Sequence, residues 1–174
     1  MSWITTLSGK HFNFHDISPD AICIEDIAGA LSKICRFTGH IPEFYSVAQH
    51  SVHVSYLVPP EFALEALLHD AAEAYCNDLA APLKQLLPDY QRQIEEVEVV
   101  IAAKFGVPFP MSSAVKHADL VMLATERRDL DLDDGTPWPI LEGIEPAYFI
   151  LSPLNPRQSF VLFLQRFADL NRSR

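Results

Sequence analysis

The sequence predicts an all-α domain of six or seven helices with a short N-terminal β-hairpin, and three observations carry that expectation. From residue 24 onward, apolar residues recur at the i, i+3, i+4, i+7 interval of amphipathic helices. Helix punctuation falls between those runs, at Ser46, Pro59-Pro60, Pro88 and Asn155-Pro156. Strand-like patterning is confined to residues 3–14.

Each element follows from its own residues. Ile4, Leu7, Phe12 and Phe14 flank the turn former Ser8-Gly9-Lys10 and predict the hairpin. Ile24, Ile27, Ala28, Leu31, Ile34 and Cys35 trace one helical face that stops near Thr38-Gly39. Residues 46–58 predict a second helix, with Ser46 as N-cap and Pro59-Pro60 closing it. A third, strongly apolar helix is expected over 61–75, and Pro82 and Pro88 bracket a short helical turn. Residues 89–105 and 112–131 give two longer helices, and Asn155-Pro156 starts a last one running to about residue 170. Residues 133–156 carry five of the 13 prolines and two glycines, so a long loop is expected there, of the kind that often has a function.

Composition narrows the classes. A chain of 174 residues suits one domain, 1–174, since domains run to roughly 100–200 residues. Thirteen Lys and Arg against 23 Asp and Glu leave a net charge of −10. That balance argues against nucleic acid, where phosphates must be neutralised by a basic surface, and against anionic membranes. No apolar run approaches the ~18 residues of a membrane span, and Met1–Thr6 lacks the basic and apolar regions of a signal peptide. Three dispersed cysteines, Cys23, Cys35 and Cys76, fit a reducing compartment. The expectation is a soluble cytoplasmic protein.

Chemistry concentrates in Leu67-Leu68-His69-Asp70-Ala71-Ala72-Glu73. Charge on an apolar helix is costly unless something neutralises it. Helical spacing places Glu73 at i+4 from His69 and i+3 from Asp70, so the three can border one cavity. A divalent cation would satisfy them, because imidazole and carboxylate are ordinary ligands of Zn, Mn, Fe or Co. A His-Asp pair satisfied by hydrogen bonds alone remains the plainer alternative. His50 on the preceding helix and Asp119 on a later one also sit among apolar residues. His50, His69, Asp70 and Asp119 can therefore converge as four ligands.

In this pattern, H…HD…D, the sequence resembles the HD-domain phosphohydrolase superfamily. It is most similar to the branch of bacterial 5′-deoxynucleotidases and small phage-type deoxyadenosine-triphosphate phosphohydrolases. The stretch His69-Asp70-Ala71-Ala72-Glu73…Asn77-Asp78-Leu79-Ala80-Ala81-Pro82-Leu83-Lys84 matches that branch's HDxxE…GD(L/I)xxPxK, with Asn77 in place of glycine. Arg36-Phe37 stands where the branch has an arginine and an aromatic, with Phe rather than Trp. The likeness spans roughly residues 24–131, although the His50–His69 interval of 19 residues is short for the family.

The resemblance implies an HD-domain helical bundle and a metal-dependent hydrolase of deoxynucleotides. Its leading form releases inorganic phosphate from 5′-monophosphates; the close rival releases triphosphate from a deoxynucleoside triphosphate. It implies one divalent transition metal on His50, His69, Asp70 and Asp119, with Mg accompanying the substrate. Glu73 would handle a proton or orient water, and Asp78 would hold a sugar hydroxyl or a water; the alternatives are support of His69 and an N-cap. Arg36 and Lys84 are the phosphate-binding candidates, Phe37 flanks the substrate, and a salt bridge of Arg36 to Glu25 or Asp26 is the plain alternative. Lys33 and Lys116 could extend the basic set toward a triphosphate. Glu126, Arg127, Arg128 and Asp129 look like an ion-pair cluster. A homo-oligomer is expected, and a non-catalytic nucleotide-binding or regulatory module is the reading from another class.

Overall fold

The N-terminal hairpin pairs β1 (Trp3–Thr5) with β2 (His11–Asn13) antiparallel, Ile4 opposite Phe12, in a computed structural model that describes residues 1–172. Its turn closes where Gly9 takes φ +81, a conformation that glycine adopts without a Cβ clash. Phe12 enters the core with no exposed surface, and its ring stacks on Tyr75 at 4.1 Å. Asp26 of α1 (Ile24–Leu31) accepts hydrogen bonds from the Ser8 N–H and Oγ–H, both at 2.7 Å, which clasp the hairpin to the helices.

Helix α1 ends well before Thr38-Gly39, where the sequence placed its stop. Phe37, Thr38 and Gly39 all have positive φ (55°, 54° and 79°), which no right-handed helix allows. The chain instead folds back so that Cys35 bridges Ser46. Ser46 caps α2 (Val47–Tyr56), its Oγ accepting the Gln49 N–H at 3.1 Å, as the sequence indicates.

The helix expected over 61–75 is not continuous. A 3₁₀ turn (Pro60–Phe62) leads into α3 (Ala63–Leu68), and α4 (Glu73–Cys76) follows after a tightened turn. Within it, Ala71, Glu73, Ala74 and Tyr75 donate to the carbonyls three residues back. The His69 imidazole supplies a local cause: its Nδ1 reaches the carbonyl of Ala66 at 2.7 Å, competing for a helix acceptor. Then come the single turn α5 (Ala81–Lys84), the long α6 (Pro88–Phe105) and α7 (Ser113–Asp129). Gly106 ends α6 in the left-handed conformation, and Ser112 caps α7 through the Val115 N–H. Helix α8 (Pro156–Arg172) packs back across α1, α2 and α3.

Two apolar clusters form the core. One gathers Phe12, Ile22, Ile27, Leu31, Val52, Leu67, Val97 and Phe163; the other gathers Tyr45, Val54, Ala66, Val115, Met122 and Leu151. Helix α2 contributes to both, so its polar side chains Gln49 and His50 lie at the seam. The expected long loop is strapped down over its second half. Thr125, Arg128 and Asp129 bond the backbone of residues 147–151, and the Gln49 carboxamide bonds Ser152 O and Leu154 N. No described helix is long and apolar enough to cross a membrane, and the three cysteines are free thiols.

Candidate metal centre

Three elements far apart in sequence bring their donors together. His50 comes from α2, His69 from the turn after α3, and Asp119 from α7. Their ligand atoms lie within 4.8 Å of one another, and the group could hold a metal ion. The two Nε2 atoms are 3.4 Å apart, and Asp119 Oδ1 is 3.0 Å from that of His50 and 3.7 Å from that of His69. Asp70 joins from the side, with Oδ2 3.2 Å from His69 Nε2 and 3.7 Å from His50 Nε2. Bonds of about 2.0–2.2 Å to a single ion can span separations of this size.

The orientation of each ring is set from behind. His69 gives its Nδ1–H to Ala66 O, and His50 gives its Nδ1–H to Glu126 Oε1 at 2.5 Å. Each imidazole therefore turns its Nε2 toward the shared space, where a cation or a proton is required. Metal-free electrostatics says the same. Burial and Arg36 pull the His50 pKa down, yet Glu126 and Asp119 carry it above its ordinary value. Burial also opposes the His69 imidazolium, but Asp70 and Asp119 lift that pKa well above the usual range. Against its own burial, the His69 imidazolium holds the Asp70 carboxyl down at about 2. Protons on the Nε2 atoms would compete with a divalent cation for this position, so metal binding here is linked to their release.

Glu73 is buried four residues beyond His69 but belongs to a neighbouring group. Its Oε1 lies 3.8 Å from Lys84 Nζ, and its Oε2 is buried with no hydrogen-bond partner. Burial, then the Asp70 and Asp78 carboxylates, push its pKa well up, against Lys84 and Arg36. Asp78 is half-buried, and burial raises its pKa while Arg36, Lys84 and His50 act the other way. It is no N-cap: α5 starts after Ala80. The electrostatic partners of Glu73 and Asp78 thus include both phosphate candidates and the metal-side Asp70.

Arg36 pairs with neither Glu25 nor Asp26. Its Nη2 and Nε donate to Glu126 Oε2 at 2.8 and 3.2 Å, and Asp26 is engaged by Ser8. Glu126 also accepts the Tyr45 hydroxyl at 2.9 Å and is fully buried. The sequence grouped Glu126 with Arg127, Arg128 and Asp129 as one ion-pair cluster, but its partners are Arg36 and His50 instead. Its neighbours pair close by along the chain, Arg128 with Asp129 and Arg127 with Asp133. The overlooked signal is spacing: Asp119 and Glu126 are seven residues apart and share one face of α7.

Phe37 packs against the second apolar cluster, with the Arg36 guanidinium 5.0 Å from its ring centroid. Lys33 donates to Gly29 O and lines a separate cavity beneath the hairpin, and Lys116 and His117 are exposed on α7. His53 faces away, stacked on Phe149 and beside Gln49 Nε2; burial and then His50 lower its pKa to about 4. A cavity of about 70 Å³ lies against His69, bounded by Glu65, Glu98 and Phe109. Glu65 Oε1 there accepts the Ser112 N–H at 2.6 Å, tying the start of α7 to α3.

No family model matches the chain. It is 58% identical over 175 residues, covering all of this chain and 98% of the relative, to the uncharacterized protein YfdR of Escherichia coli (strain K12). It is also 31% identical over 162 residues, 80% of this chain and 83% of the relative, to an uncharacterized protein of Rhodobacter capsulatus. The chain belongs to the family of YfdR. Neither relative's name carries an activity, so a function has to be argued from the site.

Proposed function

We propose that this protein is a metal-dependent phosphohydrolase of the HD-domain type that releases inorganic phosphate from deoxynucleoside 5′-monophosphates. One observation supports it above the rest. Two imidazoles, each held from behind through Nδ1, face each other through Nε2 at 3.4 Å, with the carboxylates of Asp119 and Asp70 beside them. Buried polar groups so arranged ask for a cation, and mixed nitrogen and oxygen donors suit Zn, Co, Mn or Fe.

A divalent ion on His50, His69, Asp70 and Asp119 supplies a Lewis acid for a phosphoryl oxygen and lowers the pKa of a bound water. The surrounding residues do the rest. Arg36 offers a fixed planar fork and Lys84 a mobile charge for the phosphate oxygens. Glu73, its pKa held up by burial and by Asp70 and Asp78, keeps a proton that an exposed glutamate would lose. In hydrolysis a water oxygen bonds to phosphorus, the bond from phosphorus to the 5′ oxygen breaks, and the Glu73 proton goes to that leaving oxygen. The carboxylate then recovers a proton from the attacking water. Asp78 accepts a sugar hydroxyl. Lys33 is turned to Gly29 O, so among the described candidates it adds no charge beside Arg36 and Lys84, which favours a monophosphate over a triphosphate.

The test is a screen of the metal-loaded protein against deoxy- and ribonucleoside mono-, di- and triphosphates, with products identified. Orthophosphate from deoxynucleoside monophosphates is the expected product. Release of triphosphate would move the reading to the triphosphohydrolase alternative. Absence of turnover with Zn, Co, Mn, Fe and Mg would favour a non-catalytic nucleotide-binding module.

A further inference from the structure

We propose that Glu126 is a positioning residue that serves the metal ligand His50 and the phosphate-binding Arg36 at the same time. The part concerning Arg36 rests on the phosphohydrolase reading; the part concerning His50 rests on the donor set alone. Helix α7 reaches His50 twice, because Asp119 and Glu126 lie seven residues apart on one face. Asp119 meets the imidazole at Nε2 and Glu126 meets it at Nδ1. One helix thus grips both edges of a ring that α2 supplies.

The carboxylate is fully used. Oε2 accepts from Nε and Nη2 of Arg36, while Oε1 accepts from Tyr45 Oη and His50 Nδ1. Glu126 has no exposed surface, so water cannot replace a lost partner. Turning the carboxylate to suit one partner would break its bonds to the others, which couples the position of His50 to that of Arg36. The bond from Nδ1 fixes the tautomer whose Nε2 lone pair can bind a metal, a service that buried carboxylates render to ligand histidines. The grip on the Nε and Nη2 edge leaves the Nη1 N–H groups of Arg36 outside the contact, available to a phosphate oxygen. The Arg36 N–H is itself tied to Tyr45 O at 2.9 Å, so backbone and side chain are anchored at the same place. A purely structural ion pair, joining α7 to the connection between α1 and α2, is the alternative.

Metal and phosphate binding separate the two roles. The metal-stripped full chain is titrated with Co²⁺, followed by its visible absorption and by competition with a chelator. The Co²⁺-loaded protein is then titrated with inorganic phosphate by calorimetry. Glu126→Gln keeps the shape but cannot accept from both sides, and it should weaken Co²⁺ binding by about 10–100-fold. Phosphate binding to the loaded variant should also fall, by about tenfold. A folded Glu126→Gln protein that binds Co²⁺ as the wild type does overturns the role toward His50. Unchanged phosphate affinity at full loading overturns the role toward Arg36. If the loaded wild type itself ignores phosphate, the phosphohydrolase reading fails and takes the Arg36 role with it, while the Co²⁺ result still decides the role toward His50. Should Glu126→Gln not fold, Glu126→Asp keeps the charge but is too short to reach both partners. In Glu126→Asp a loss of Co²⁺ affinity supports the role toward His50 and a loss of phosphate affinity the role toward Arg36, and a wild-type value for either overturns that role.

Discussion

Glu73 is buried among other carboxylates, and that placement has opposite consequences for folding and for turnover. Its folded pKa is raised, first by burial and then by Asp70 and Asp78. An unfolded glutamate gives up its proton near pH 4.3, so the metal-free protein loses stability from Glu73 as pH rises above that value toward the folded pKa. Glu73→Gln removes this penalty. Its melting temperature in the metal-free form should match or exceed the wild type, by more at pH 8 than at pH 5, while turnover falls about 10²–10⁴-fold. A variant that melts lower than wild type at the higher pH would contradict the electrostatics, and retained turnover would remove Glu73 from the chemistry. How much of the site could be read from sequence differs residue by residue. His50, His69 and Asp119 stood out because each interrupts an apolar run, where a polar side chain needs a partner. Glu126 was hidden by the charged residues directly after it, although its carboxylate is fully buried against Arg36, Tyr45 and His50 while theirs pair nearby along the chain. Arg36 misled for a related reason: the nearby Glu25 and Asp26 invite a local pair, whereas its partner lies 90 residues away.

At the scale of elements, the sequence indicates the number and order of helices well because apolar periodicity and capping residues agree. Ser46 caps the helix it was expected to start, and the structure adds Ser112 and Gly106 as caps of α7 and α6. The break inside the expected 61–75 helix was not legible, since every residue there tolerates a helix and the cause is one side chain's choice of acceptor, the His69 imidazole held at Ala66 O. That break matters to the site. In a turn built on i→i+3 bonds, side chains three apart eclipse, which brings Asp70 over Glu73 and accounts for the carboxylate pressure on the latter. The segment after α7 was expected to be a long loop, and its second half is held against the domain by side chains that bond its backbone. Gln49 is the anchor on the α2 side, donating to Ser152 O at 2.9 Å and accepting from Leu154 N at 2.8 Å while only 1% exposed. Gln49→Leu should leave both backbone groups unsatisfied and cost about 1–3 kcal/mol for the pair. Urea unfolding measures the cost, and limited proteolysis should cut within residues 131–155 faster than in the wild type. Equal cutting rates would show that the straps from α7 hold the segment without Gln49.

For the molecule as a whole, the donors that could hold an ion are spread over residues 50, 69 and 119, so one ion would cross-link α2, the turn after α3, and α7. These elements also meet both apolar clusters, with Val52 and Leu67 in one and Val54, Ala66 and Met122 in the other. Metal occupancy should therefore be felt as global stability rather than as a local effect. The net charge of −10 bears on the same point. It disfavours a polyanionic partner at long range, but exposed charge is screened beyond about 8–10 Å at ordinary salt. On the proposed function, the local field that a small anion meets would be set by Arg36, Lys84 and a bound cation rather than by that distant charge. A ligand that binds only the folded state adds about 2.7 kcal/mol at a hundredfold excess over its Kd, and a chain of this size gains roughly 2–4 °C in melting temperature per kcal/mol. Saturating Zn²⁺ or Co²⁺ at neutral pH should thus raise the Tm by about 5–10 °C over the protein in EDTA. The gain should shrink as pH falls, because protons on His50 and His69 compete with the metal. Asp119→Asn and His69→Ala should lose most of it, whereas Lys84→Ala, away from the donor group, should keep it. Scanning calorimetry decides the matter: a wild-type Tm that responds to neither ion would mean that protons alone satisfy the cluster.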